Sequence, residues 1–150
     1  MALILTPLQT SAEEFFFRAY VLQGLGLITR HPFLLILLSS LLFAVPHFGN
    51  PEMQRSALWL GLSYLAIGAF LTLITLKDNR LELALGVHAA NNLFVALFVN
   101  TKDSALPAPS LFILKDVGDP RLSFSLFLLS AAIYYFLFFG KRPSPSPSRP

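Results

Sequence analysis

The sequence predicts an all-α fold, a polytopic transmembrane bundle of about five apolar helices. Three observations predict it. Of the 150 residues, 55% are hydrophobic and only 13% are charged, whereas a soluble domain carries about a quarter charged residues. Mean hydropathy is +0.65. Apolar runs recur at lengths approaching the roughly 20 residues that cross a bilayer. Short breaks with proline, glycine or charge separate them.

The first segment covers about Ser11 to Thr29. Ser11 is a plausible N-cap, with Glu13 and Glu14 in the first turn, where acids suit the helix dipole. The second, about Pro32 to Val45, is short for a full span, and Pro46 with the following "HFGNP" ends it. The third, about Gln54 to Leu76, is long enough to cross, and Ala57, Gly61, Gly68 and Ala69 give it small faces for close helix contact. The fourth, about Leu81 to Asn100, carries a histidine and two asparagines among apolar residues. A loop from Thr101 to Arg121 reads as an extramembrane excursion. The fifth segment spans Leu122 to Gly140, with Tyr134 and Tyr135 as interface anchors. Residues 1–140 thus form one membrane domain, and 141–150, "KRPSPSPSRP", read as an extended, disordered tail. If the segments alternate, the basic excess beside Arg30, Lys77, Arg80 and the tail places the C-terminus in the cytoplasm.

Composition also excludes some classes. With no cysteine, a disulfide scaffold, a thiolate metal site and a cysteine nucleophile are ruled out. The net charge of +3 is scattered without a basic stripe, so nucleic acid is not an expected partner. The start "MALILTPLQT" has no basic n-region and does not resemble a cleaved signal peptide.

Ionisable groups in such helices cost about 2.5–3.5 kcal/mol each on insertion scales, so they are functional candidates. The first cluster is Glu13-Glu14-x-x-x-Arg18. Glu14 and Arg18 lie four residues apart on one helix face and can pair. Glu13 points about 100° away, so one acid can be neutralised while the other stays available. The second is Phe43-x-x-x-His47, which puts an imidazole at the end of an apolar helix, where it can be base, acid or ligand. The third is His88-x-x-x-Asn92, two polar side chains on one helix face. Each cluster also has a structural use: an interfacial cap, a turn-capping histidine, or interhelical hydrogen bonding of the kind Asn91 would supply. Taken together they suit hydrolysis. A carboxylate with one histidine activates water, and a histidine with an asparagine stabilises an oxyanion. A Zn²⁺ held by two histidines and a carboxylate is the competing arrangement. The zincin motif H-E-x-x-H and the nucleophile elbow G-x-S-x-G are both absent from the sequence.

"EEFFFR", "FAVPH" and "HAANN" resemble, in order, the E-E-x-x-x-R, F-x-x-x-H and H-x-x-x-N motifs of the CPBP intramembrane proteases. That family includes CAAX prenyl endopeptidases and bacteriocin-processing or self-immunity proteins. The resemblance covers about Thr10 to Asn100 and implies a membrane endopeptidase. Glu13 would be the water-activating carboxylate working with His47. His88 and Asn92 would stabilise the oxyanion, and Glu14 and Arg18 would shape the site. No cofactor is required in that mechanism. In a metal-dependent version, zinc would sit on His47, His88 and a glutamate, Glu13 in the simplest case. The substrate would be a peptide or protein segment at the membrane, prenylated substrates being one class. Family members usually carry further helices ahead of the first motif, whereas ten residues precede Ser11 here. The expectation is a minimal core, a truncated product or an isolated domain. Two other classes compete: a non-catalytic immunity or scaffold protein with the same fold, and an ion- or proton-conducting bundle.

Overall fold

Helix begins at Ala2, well ahead of the expected cap. The computed structural model describes residues 1–106 and 108–140; the Pro/Ser-rich tail lies outside the described residues. Helix α1 (Ala2–Glu14) continues through a π-helical segment, Phe15–Val21, into α2 (Leu22–Ile28). Ser11 is therefore a mid-helix residue and no N-cap, and Glu13 and Glu14 end α1 rather than starting it. The physical reason is that "ALILTPLQT" is apolar and helix-compatible apart from Pro7, which the helix accommodates inside its span.

Helix α3 (Pro32–His47) starts on a proline, whose fixed φ suits the first helical position. His31 before it is extended, as a residue preceding proline tends to be. Pro46 falls inside the last turn and the helix ends at His47, two residues beyond Val45. A 3₁₀ turn, Pro51–Gln54, leads into α4 (Ala57–Asp78). Asn79, in the left-handed conformation at φ 53°, ends α4 in the manner of an αL cap. Helix α5 (Glu82–Leu97) stops three residues short of Asn100. Its place is taken by β1 (Val99–Thr101), which pairs in parallel with β2 (Phe112–Leu114). The bundle is mostly helical, with this small strand pair added in the stretch expected to be a plain loop. Helix α6 (Pro120–Phe139) opens on Asp119, whose carboxylate accepts from the Arg121 N–H at 2.8 Å, an N-cap followed by proline at the first position.

Helix α3 packs most extensively on α4, and α1 on α5. Gly68 permits the α3–α4 approach: a Cβ there would lie 3.0 Å from Phe43 Cδ1 and 3.1 Å from the Ser40 Cα. The interior is unusually polar. Thr6, Thr10, Glu14, Arg18, Ser39, Ser40, Thr72 and His88 are all buried. Large apolar side chains, among them Leu3, Ile4, Phe33, Leu41, Leu129 and Leu137, face outward. An apolar exterior around a polar interior is what lipid solvation allows and water disfavours. Helices α4 and α6 are long and apolar enough to cross a membrane, while α3 and α5 are shorter apolar helices.

Candidate active site

Glu14 stands at the centre of the polar interior with no exposed surface. Its Oε1 accepts from Arg18 Nη1 at 3.1 Å and from His88 Nδ1 at 2.7 Å. The oxygen that accepts from the guanidinium acts as acceptor toward the imidazole as well, so Nδ1 is the nitrogen of His88 that carries the hydrogen. The i, i+4 pairing of Glu14 with Arg18 is the one their spacing predicts. It forms where the chain leaves α1 for the π-helical segment, whose i→i+5 bonding widens the turn and is frequent at functional sites. Arg18 reaches across to α4 and donates from Nη2 to the Gly68 carbonyl at 3.2 Å. Its guanidinium also lies 4.4 Å from the centre of the Phe43 ring, close enough for a cation–π contact. Glu14 Oε2 and Arg18 Nε are buried without a hydrogen-bond partner among the described residues. Such a site retains polar capacity.

Glu13 is the more accessible acid, its side chain 25% exposed against 0% for Glu14. The two glutamates thus divide as the 100° rotation between neighbours implies. Glu13 Oε1 accepts from Gln9 Nε2 at 3.0 Å, and Oε2 lies 3.7 Å from His88 Nε2. That separation is an ion-pair distance and too long for a hydrogen bond. His88, from α5, therefore stands between both glutamates of α1, one on each ring nitrogen.

His47 sits on the other flank of Phe43. The Phe43 ring centre is 4.7 Å from that of His47 and 5.9 Å from that of His88. His47 Nδ1 lies 2.7 Å from the Phe43 carbonyl oxygen. A carbonyl can only accept, so Nδ1 carries the hydrogen and Nε2 holds the lone pair. The motif residue Phe43 is thereby a spacer, fully buried, that packs against Arg18 and both imidazoles. Asn92 lies one turn beyond His88 on α5, half-buried, with its Oδ1 accepting from Asn91 Nδ2 at 3.1 Å. Asn91 is exposed and bonds to its own neighbour rather than to another helix. Glu13, Glu14, Arg18 and His88 thus meet directly. His47 joins them through Phe43, and Asn92 through its place on α5.

In a metal-dependent version His47, His88 and Glu13 are the residues that would hold the ion. Among the described residues no three His, Asp or Glu side chains gather as a ligand set. His88 Nδ1 is committed to Glu14 and His47 Nδ1 to a backbone carbonyl, which leaves Nε2 as the nitrogen each ring could present to a metal.

Three further residues adjoin the site, none of them evident from motif spacing. Gln9 precedes Glu13 by four residues, a spacing that i, i+4 reasoning could have found. Tyr64, a hydroxyl within an apolar helix, packs its ring 4.3 Å from that of His47. Glu52 receives the Tyr64 hydroxyl at 2.6 Å.

A helical membrane protein that buries a glutamate, an arginine and a histidine, with a half-buried glutamate and a second half-buried histidine beside them, belongs to the class built for polar chemistry inside an apolar shell. The family model for type II CAAX prenyl endopeptidase Rce1-like proteins matches residues 1–94, and the chain belongs to that membrane-embedded family. It is similar to the uncharacterized protein YyaK of Bacillus subtilis (strain 168), at 49% identity over 112 residues. That match covers 74% of this chain and 38% of the relative, so the chain spans well under half the length of that curated protein. No solved structure matches the chain.

Proposed function

We propose that the chain is a multi-pass intramembrane endopeptidase that hydrolyses a peptide bond in a substrate presented at the membrane. The observation that carries this reading is His88 held between the buried Glu14 and the accessible Glu13, at 2.7 and 3.7 Å. It joins two motifs 74 residues apart. Family membership supports the reaction class, and the family's description points to prenylated CAAX peptides as the first substrates to test.

In the proposed reaction Glu13 takes a proton from water, and the resulting hydroxide attacks the scissile carbonyl carbon. The carbon–oxygen double bond becomes an oxyanion, held by His88 and Asn92. His88 donates from Nε2 in the form that carries hydrogen on both ring nitrogens. His47, with its lone pair on Nε2, orients the water. Collapse of the oxyanion breaks the carbon–nitrogen bond, and the proton held by Glu13 passes to the departing nitrogen. Glu14 and Arg18 neutralise each other and fix His88. No step passes through zinc.

The test is cleavage of a farnesylated CAAX peptide by the purified full chain in liposomes, followed by product mass. The expected result is release of the three terminal residues, with His47→Ala slowed by about 100-fold, a loss typical of misplacing the attacking group. Equal cleavage by wild type and His47→Ala contradicts the assignment. Cleavage lost on chelation and restored by Zn²⁺ contradicts the metal-free route.

A further inference from the structure

His47 owes its orientation to a group of residues outside the three motifs. One edge of its ring is fixed by the hydrogen bond from Nδ1 to the Phe43 carbonyl at 2.7 Å. The Phe43 ring also packs against it at 4.7 Å between centres, and a further constraint from outside that residue is needed to aim Nε2. The Tyr64 ring supplies it, packed at 4.3 Å between centres and tilted by 33°. Tyr64 is itself held at its far end. Its hydroxyl donates to Glu52 Oε1 at 2.6 Å and accepts from Asn50 Nδ2 at 2.9 Å. Hydroxyl-to-carboxylate bonds of that length are among the stronger ones in proteins. Glu52 is fixed in turn, because its Oε2 accepts from the Ala105 N–H at 2.9 Å. The neighbouring Arg55 Nε pairs with Asp103 Oδ2 at 2.8 Å. The 3₁₀ turn after α3, the first half of α4 and the segment after α5 therefore meet at one carboxylate behind His47.

We propose that Tyr64, anchored by Glu52, is the positioning residue for His47, setting the imidazole plane so that Nε2 can orient the attacking water. This rests on the endopeptidase reading, and the spectroscopic arm of its test does not. Tyr64 contacts His47 without being assigned any contact with water or substrate, so its loss misplaces the imidazole and leaves binding intact.

The test compares wild type, Tyr64→Leu, Tyr64→Phe and Glu52→Gln in the full chain, in micelles. One readout is cleavage of the farnesylated CAAX peptide. The other is the ring nitrogen spectrum of His47, assigned with His47→Ala. In wild type the expected spectrum is a single tautomer with hydrogen on Nδ1. Tyr64→Leu is expected to mix the tautomers and lower kcat by on the order of 10- to 100-fold with KM within about twofold, as a misplaced catalytic group does. Tyr64→Phe keeps the ring and is expected to retain kcat within about threefold to tenfold, with Glu52→Gln closer to wild type because its amide oxygen still accepts. If Tyr64→Leu perturbs packing, Tyr64→Phe decides by the same spectrum: loss of the Glu52 anchor is expected to weaken the single-tautomer signal in part, and a wild-type spectrum overturns the proposal. An unchanged His47 spectrum overturns the proposal, as does a changed spectrum with unchanged kcat. Full activity in His47→Ala contradicts the role of His47 in hydrolysis, and the spectrum then decides the positioning on its own.

Discussion

The two sides of α4 are built on opposite principles. One side meets α3, the π-helical segment and, through Arg18 and Gly68, the buried charges of α1. The other side meets α6, of which no residue is buried. There the contacts are aromatic: Phe70 with Phe127 and Tyr134, Trp59 with Phe124, and Arg121 over Trp59. A wholly apolar groove of about 320 Å³ runs between α4 and α6 beside Ala66, Ala69, Ala131 and Ala132. The difference teaches where specificity resides. A charged interior in a membrane must match donor to acceptor one by one, because an unpaired charge has no solvent to turn to. An aromatic face tolerates change, because each contact is small and undirected.

That contrast can be broken most severely at Arg18. Arg18→Ala removes the buried guanidinium that Glu14 pairs with and leaves His88 as its remaining partner. The expected cost is about 3–5 kcal/mol of stability, read by equilibrium unfolding in mixed micelles. A loss under about 1 kcal/mol would show that the polar side is as forgiving as the aromatic one. Next comes Gly68→Ala. The new Cβ meets the Ser40 Cα, which is backbone and cannot swing aside, so overpacking by about 1–3 kcal/mol is expected. Cleavage should fall as well, because Phe43 is the other neighbour and lies between the histidines. The gentlest change is Phe127→Ala on α6, which removes one edge-to-face pair at 6.3 Å. About 0.5–1.5 kcal/mol should be lost, with kcat unchanged. An activity loss there would tie α6 to the site and narrow the contrast.

The polar side was also the more legible in the sequence. Spacing of four residues paired Glu14 with Arg18 and placed His88 and Asn92 on one helix. Spacing within a helix reveals a face and not its neighbour, so it did not disclose that His88 would sit between the two glutamates. The start of α1 at Ala2 is not legible, because a serine followed by acids, as at Ser11, resembles a cap whether or not the helix already exists. The π-helical segment has no residue signature, since "FFFRAYV" is compatible with ordinary α-helix. Glu52 and Tyr64 were missed because each belongs to no pattern. Only the turn after α3 brings the carboxylate to the hydroxyl. The strand pair β1–β2 was hidden by the continuity of "LFVN" with the helix before it.

The most direct measurement of the central claim is the kcat of Glu13→Gln on the farnesylated peptide, with folding checked by the unfolding midpoint. The substitution keeps size and the hydrogen bond from Gln9 while removing the base. The account predicts a fall of about 10²–10⁴-fold with a stability loss of no more than about 1 kcal/mol, because the Glu13 side chain is partly exposed and its contact with His88 is long. Cleavage at the wild-type rate by folded Glu13→Gln would contradict it.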